Sequence, residues 1–376
     1  MRPRLARLAE LKESKKLDAF FLTHPPTLRH LSGYYFNFET GPSPFHLLPG
    51  ALFVVPGVES HLVVADTEGS QLGDVDPEMH VIMYLSYIYE QALEPEKHLL
   101  NRVFQALDEV IPNKARVGVE ANSMPLTLSE GLHHRYSELE FVDVSRELEL
   151  SRMVKDPDEI AAIRRATRLC DIGQEAVQKY ARPRLSELEL FTLVRGEVEA
   201  LAEKRVPILA DLVSGQRAHE TGGSPSPKRI EDGDVIISDL APWLDGYWAD
   251  TCNTTVVGEP TSSQKESFQR VKEALDIGLN ALKPGVRANE VDRLMREHIA
   301  KSGGGYPHHS GHGVGVIYHE EPRIVPYNEI QLVPNMVIAL EPAVYPEDYG
   351  LRLEHLVRVT PNGCEVLSQF SHSLGT

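Results

Sequence analysis

The chain is short of the features that define several protein classes. Of its 376 residues only three are cysteine, Cys170, Cys252 and Cys364, an odd number scattered along the sequence. That usage fits a reducing compartment and provides no disulfide framework. Basic charge is scarce as well: 38 lysines and arginines face 55 acids, a formal net charge of −17. A field of that sign repels phosphate backbones and anionic bilayers, so neither nucleic acid nor a membrane surface is expected as a partner. No apolar run approaches the roughly 18 residues of a spanning helix; Ala51–Val58, broken at Pro56, is typical of the longest. Arg2, Arg4 and Arg7 are followed by Glu10, Lys12 and Glu13, not by the apolar stretch of a secretory signal. Proline (26) and glycine (27) are too few for a low-complexity chain. What remains, 41% apolar and 25% charged, is the composition of an ordinary globular protein. Its length suits about two domains of roughly 100–200 residues each, and the expected location is the cytoplasm.

Residues 1–150 read as an α/β unit. Leu5, Leu8 and Leu11 give a helix over Arg4–Lys16, and Asp18–Leu22 is a compact strand. Ala51–Val55 and His61–Val64 form a strand pair around a Pro56–Gly57 turn. The apolar series from Leu99 to Val110 is a second helix; Val117–Val119 and Phe141–Val144 are further strands. A boundary falls at Ser151–Glu159. There Asp156 can cap a helix, Pro157 suits its first position, and Glu159 completes a capping box. Residues 151–376 read as α+β. Helices follow the boundary and span Ser186–Glu203 and Ser262–Leu282; strands lie at Val235–Leu240, Tyr247–Val257, Met336–Leu340 and Leu351–Thr360.

The strands carry acids in a regular way. Asp239 closes one apolar strand and Asp250 opens the next, with the Asp245–Gly246 hairpin signal between them. The two carboxylates are expected to oppose each other, about 4.5–5.5 Å apart at Cβ, where like charges destabilise unless a cation intervenes. Two solvated edge acids are the plain alternative. The pattern recurs: Glu341 and Glu354 are symmetric about the Pro346–Gly350 turn region. Arg352 shares the parity of Glu354, either as its ion-pair partner or as a substrate contact. Between the hairpins, Gly303–His319 holds His308, His309, His312 and His319 among glycines. Glycine lets a backbone crowd a ligand and argues against a helix here. Gly311-x-Gly313-x-Gly315 lacks the spacing of a nucleotide loop. Four carboxylates and at least one imidazole, without thiolates, suit Mn²⁺, Fe²⁺, Co²⁺ or Zn²⁺ rather than a structural zinc. Such a set can hold two cations about 3.5–4 Å apart, which generates a hydroxide at neutral pH and polarises a carbonyl. The residues by themselves point to a two-metal hydrolase.

Asp239…Asp250, Gly311-His312-Gly313, Glu341-Pro342 and Arg352-Leu353-Glu354 together resemble the five-ligand set of the pita-bread metallopeptidases, which include aminopeptidase P, prolidase and methionine aminopeptidase. The opening Arg4–Gly33 resembles the creatinase-type N-terminal domain of the proline-directed branch, which methionine aminopeptidases lack. The resemblance implies a creatinase-like domain over 1–150 and a pita-bread catalytic domain over 151–376. It implies Asp239, Asp250, His312, Glu341 and Glu354 as ligands of two divalent ions, Mn²⁺ foremost. Glu341 would double as proton shuttle, His319 would stabilise the tetrahedral intermediate, and His308 would line the substrate pocket. Arg323 and Arg352 would face a substrate's C-terminal carboxylate through bidentate pairing; an ion pair with Glu320 or Glu321 is the alternative for Arg323. His309 and Tyr318 are taken as packing residues. The implied substrate is a proline-containing dipeptide or short peptide, and the implied assembly a homodimer.

Some positions depart from the family pattern. Seventeen residues before Asp239, where the family usually has a histidine beside the substrate, stands Gly222, with His219 three residues earlier. Ala241, Asn253 and His355 replace a common glycine, arginine and acid. These changes spare the five ligands and alter the pocket. Three functions are therefore weighed: an Xaa-Pro peptidase, a hydrolase of another small amide on the same site, and a non-catalytic peptide-binding homologue.

Overall fold

The computed structural model describes residues 3–35, 51–54, 60–108, 111–301 and 303–375; the Pro56–Gly57 turn and Val110 lie outside them. The chain divides into two compact units, Met1–Ser151 and Arg152–Thr376.

The first unit runs α1 (Pro3–Lys15), β1 (Ala19–Leu22), α2 (Pro25–Ser32), β2 (Ala51–Val54), β3 (His61–Ala65), β4 (His80–Tyr84), α3 (Pro95–Leu107), β5 (Arg116–Val119), α4 (Leu126–Arg135), β6 (Glu140–Asp143) and α5 (Ser145–Ser151). Its six-stranded sheet has the order β4-β3-β2-β1-β5-β6. Alternation along β1 explains why helices cover both faces. Phe21 packs with Leu99, Val103, Leu128 and Leu132 of α3 and α4, while Phe20 and Leu22 pack with Leu8, Leu28 and Leu31 of α1 and α2. Helix α2, which periodicity did not reveal, starts on two prolines and ends at Gly33 with φ 85°. β4, α4 and α5 are likewise additions to the elements read from sequence.

The second unit opens with α6 (Pro157–Tyr180) and α7 (Glu187–Ala202), then β7 (Ile208–Ser214), β8 (Val235–Leu244), β9 (Tyr247–Trp248) and β10 (Thr251–Val256). It continues with α8 (Ser262–Ala281), α9 (Ala288–Ala300), β11 (Gly311–Gly313), β12 (Glu320–Ile324), β13 (Val337–Leu340), β14 (Ala343–Val344), β15 (Leu351–Arg352), β16 (His355–Thr360) and β17 (Gly363–Val366). The capping box at α6 is present, the Asp156 backbone N–H donating to Glu159 Oε2 at 2.9 Å. A helix pair followed by strands thus occurs twice, a duplication too long in period for residue spacing to reveal. One sheet is β10-β8-β7, with β9 on β8, and the other is β12-β11-β13-β16-β17. The apolar run in β13 serves both faces of its sheet. Ile338 and Leu340 meet Val271, Leu275, Val291 and Met295 of α8 and α9; Val337 and Ala339 meet Ile163, Ala166 and Cys170 of α6. Burial on both faces is what makes such strands continuously apolar.

The two hairpins differ in how well their register can be read. Leu340 pairs with His355 and Ala343 with Arg352, so Glu341 and Glu354 lie in register as their spacing predicts. In the first hairpin Leu244 pairs with Tyr247 and Asp239 with Cys252, not with Asp250. The reason is the turn: Asp245 and Gly246, both at positive φ (50° and 85°), form a two-residue connection centred between them. That moves the register by two residues, which keeps Asp250 on the face of Asp239 while removing the direct opposition. Asp250, Glu341 and Glu354 all fall in breaks between strands, whereas Asp239 sits within β8.

A buried ion pair ties the first residue of β12 to the start of the unit. Lys155 Nζ lies 2.5 Å from Glu320 Oε2, with side-chain exposures of 1% and 2%. Glu320 Oε1 accepts the Ile317 N–H at 3.1 Å, which fixes the turn carrying His319. Lys155→Ala removes the ammonium from Glu320 Oε2 and leaves Arg152 Nε, at 3.9 Å from Oε1, as a more distant cation. Removing one member of a buried pair costs about 3 kcal/mol or more; the urea midpoint should fall accordingly at unchanged m-value.

Candidate metal centre

His312 sits in β11 between Gly311 and Gly313, and both glycines are dictated by backbone crowding. A Cβ at Gly311 would lie 2.2 Å from the Ala339 carbonyl oxygen, and one at Gly313 would lie 2.3 Å from that of Glu321. β11 can be squeezed between β12 and β13 only without those side chains. The His312 ring is oriented by its Nδ1, which donates to the Gly313 carbonyl at 3.0 Å. In the neutral ring Nε2 is then the unprotonated nitrogen. It faces Asp250 Oδ2 and Glu341 Oε1, each at 3.6 Å, too far for a hydrogen bond.

The carboxylates arrive from several elements. Asp239 projects from β8, next to Asp211 of β7 and Cys252 of β10. Glu341 follows β13, its backbone N–H donating to the Ser310 carbonyl at 3.0 Å. Glu354 is placed by its own N–H, which donates to the Cys252 carbonyl at 2.8 Å. Asp250, His312 and Glu354, all buried, present ligand atoms within 4.8 Å of one another. Asp250 Oδ1 and Glu354 Oε2 are fully enclosed yet have no hydrogen-bond partner. Two orphaned carboxyl oxygens beside an unprotonated imidazole nitrogen are a donor set that fits divalent cations.

Charge within the cluster is unbalanced, and the protons record it. Burial raises Asp239 to about 6, against the pull of Arg352 and with the push of Asp211 and Glu341. Burial and then the charges of Asp239 and Glu341 hold Asp250 well above the carboxylate range; burial and Asp250 do the same to Glu354. Glu341 is the exception. Burial would raise it too, but the hydrogen bond from His309 and the nearby histidines outweigh burial and keep it ionised. His309 Nε2 is 2.8 Å from Glu341 Oε1. Burial lowers His312 to about 3 and His319 to about 4.

These side chains line a cleft of about 550 Å³ that includes Asp239, Asp250, His308, His312, His319, Glu341, Arg352 and Glu354. His308 donates from Nδ1 to the His309 carbonyl (2.8 Å), leaving Nε2 to accept from the Tyr345 hydroxyl (2.9 Å). The His319 ring lies 4.1 Å from that of His312. Arg352 lines the cleft, but its guanidinium is already committed: it meets Asp239 Oδ2 at 2.7 Å, Asp211 Oδ2 at 3.2 Å and the Thr221 carbonyl at 2.9 Å. Its anion is thus Asp239 and not Glu354. Arg323 is not among the lining residues; its half-exposed guanidinium is 3.5 Å from Glu321, the ion-pair alternative. His309 and Tyr318, taken as packing residues, both line the cleft. His309 sits directly on Glu341, so a fourth histidine within a Gly-rich run was itself the signal. Gly222 lines the cleft, whereas His219 is turned to the Pro346 carbonyl at 2.6 Å. Asp211 escaped notice because an acid in β7 has no partner within its own hairpin spacing.

The sequence profile of metallopeptidase family M24 matches residues 161–361, and that of the creatinase/prolidase N-terminal domain matches residues 4–154. The chain belongs to metallopeptidase family M24. Among curated relatives, an Xaa-Pro dipeptidase of Pyrococcus furiosus is 31% identical over 385 residues, covering 100% of both chains. An Xaa-Pro dipeptidase of Pyrococcus horikoshii is 31% identical over 387 residues, covering 100% of this chain and 99% of the other. Among solved structures, the Pyrococcus horikoshii prolidase superposes with a TM-score of 0.80 at 27% identity over 99% of both chains. A Bacillus anthracis Xaa-Pro dipeptidase shares the fold, at a TM-score of 0.84 and 24% identity over 99% of this chain and 98% of the other. The M24 unit therefore has the α+β pita-bread architecture, preceded by the α/β creatinase-type domain. Membership of this family implies divalent metal ions.

The raised acids set the pH response of the metal-free protein. An acid whose folded pKa is raised stabilises the fold below its ordinary range, and that contribution is lost as pH climbs through the folded value. Depressed histidines act in the opposite sense, but their contribution is complete once the unfolded imidazoles are neutral, above about pH 7. The contribution of Asp250 and Glu354, whose folded values stand well above the carboxylate range, is lost as pH rises out of that range. In protein stripped of divalent ions, Tm should therefore fall more steeply, or rise less, with pH than in the stripped Asp250→Asn, Glu354→Gln variant. Equal slopes in the two stripped proteins would contradict this account.

Proposed function

We propose that the protein is a dinuclear-metal dipeptidase that hydrolyses the bond preceding proline in Xaa-Pro dipeptides or short peptides. The observation that carries the reading is the orphaned pair of buried oxygens on Asp250 and Glu354 beside the unprotonated His312 Nε2. The proline preference is supported by relatives named as Xaa-Pro dipeptidases that align along the whole chain.

Asp239, Asp250, His312, Glu341 and Glu354 would hold two divalent ions, Mn²⁺ being the expected pair, with Co²⁺, Zn²⁺ or Fe²⁺ compatible with the same donors. When bound, such a pair acts as a Lewis acid toward the scissile carbonyl and makes water acidic enough to ionise near neutral pH. The remaining work falls to side chains. Glu341, kept ionised by His309, would accept the proton of the attacking water at its carboxylate and pass it to the leaving proline nitrogen. His319, neutral at physiological pH, would donate a hydrogen bond to the oxygen that gains charge at the scissile carbon. His308, oriented by Tyr345, would contact the substrate from the adjoining wall. Arg352 serves first to hold Asp239, because its nearest contact is that carboxylate; Arg323 would reach a substrate carboxylate only by leaving Glu321.

The same reading makes the enzyme a cytoplasmic homodimer. Its three free thiols, two of them buried, suit a reducing compartment, and among the described residues no helix is long and apolar enough to cross a membrane. The dimer rests on family resemblance. A hydrolase acting on another small amide is the second reading, motivated by Gly222 at the usual histidine position.

Purified protein should contain divalent metal in stoichiometric amount, lose Leu-Pro hydrolysis to a chelator and regain it with Mn²⁺. Asp250→Ala should lower kcat by about 10³-fold or more, a loss of about 4 kcal/mol of barrier reduction, and abolish metal retention while the circular-dichroism spectrum is preserved. Inert Xaa-Pro dipeptides and Xaa-Pro-Yaa peptides in the reloaded enzyme would transfer the reading to another amide. Absence of bound metal would favour a peptide-binding homologue.

A further inference from the structure

One wall of the cleft carries an acid that the proposed ligand set does not use. Asp211 lies directly opposite Asp239 in the β7–β8 ladder, lines the cleft, and keeps 39% of its side chain exposed. Like charges so opposed are destabilising unless a cation joins them, and Arg352 does so. The sharing is unequal: Arg352 Nη2 is 2.7 Å from Asp239 and 3.2 Å from Asp211. The other oxygen of Asp211 accepts the Gly223 N–H at 2.9 Å. A carboxylate has about four acceptor positions, so Asp211 keeps acceptor capacity and part of its charge at the edge of the cleft.

Gly222 accounts for the presence of that acid. A Cβ at 222 would lie 2.1 Å from Asp211 Oδ2. Gly222 is not among the residues with positive φ, so the volume of Asp211, not the backbone, demands glycine there. The loop cannot readily shift to make room. Its Ser214, Arg217 and Ser226 all bind the buried carboxylate of Glu187. Asp211 thus fills the space in which a side chain at 222 would begin, and the two positions are coupled. Where a neutral or donating ring would stand, this chain offers an anionic acceptor.

We infer that Asp211 is a specificity-determining residue that receives a positively charged nitrogen of the substrate. That nitrogen is either the α-ammonium or the ammonium or guanidinium of the side chain before the scissile bond. The inference rests on the peptidase reading above, and deepens it. A charge-assisted hydrogen bond from such a nitrogen satisfies the free acceptor positions, while an acidic group placed there meets repulsion.

Binding of small probes to the metal-loaded full-length enzyme, measured by titration calorimetry, tests this without requiring turnover. Norleucinamide carries only the α-ammonium, Nα-acetyl-lysinamide only the side-chain ammonium, and Nα-acetyl-norleucinamide neither. Asp211→Asn, isosteric and able to keep the Arg352 contact, should weaken one or both cationic probes by about ten-fold, the scale of one charge-assisted bond. The neutral probe should stay within about two-fold, and the affected probe identifies the source of the charge. Gly222→Ala, which pushes Asp211 aside, should reproduce the same selective loss. Unchanged affinity for both cationic probes in Asp211→Asn, or an equal loss for the neutral one, overturns the inference. Hydrolysis of Leu-Pro by the unmodified enzyme is scored separately, so failure of the peptidase reading is distinguishable from failure of the role of Asp211.

Discussion

Mutual repulsion among buried carboxylates is the constraint around which this molecule is organised. Asp239, Asp250, Glu341 and Glu354 converge with His312, and two of the four acids keep an oxygen that no donor reaches. Burial of Asp250, Glu341 and Glu354 removes much of the solvation that would relieve that arrangement. The protein offers two partial remedies of its own. Arg352 bridges Asp239 and Asp211, and His309 holds Glu341. Both remedies act at the margins of the cluster, and its centre is left to a ligand of positive charge.

A strained centre needs a stiff frame, and the frame is built from ordinary burial. β13 is apolar on both faces because α8 and α9 cover one side and α6 the other. Such a sheet cannot slip by one residue without turning its apolar side chains out of their cores. The acids are placed at the interruptions of that regular structure. Asp250, Glu341 and Glu354 each occupy a break between strands, where the chain is free to aim a side chain across the cleft while the flanking ladders fix its origin.

The wall formed by β7 and the loop after it has a separate logic. The loop after β7 is anchored by the buried Glu187, which binds Ser214, Arg217 and Ser226. That anchoring fixes Gly222 against Asp211. The acid cluster and this wall thus draw on different supports, so the wall can vary without disturbing the cluster.

Much of this was legible along the chain. The capping box at Asp156–Glu159 marked the start of α6 because it is built from four consecutive residues. The Glu341–Glu354 register could be counted, because no bulge interrupts the ladders on either side of that pair. The acid-and-histidine pattern at fixed spacing identified the family. Other features depended on the folded chain. The Asp239 register turned on the φ angles of two residues, which spacing alone does not reveal. Arg352 chose Asp239 over Glu354, His309 reached Glu341, and Asp211 met Gly222, in each case through contacts between segments remote in sequence. Local signals such as caps, turns and apolar periodicity act over a few residues and are written in order. Which buried charge faces which is decided only when distant strands are brought together, and there the tertiary structure has the final word.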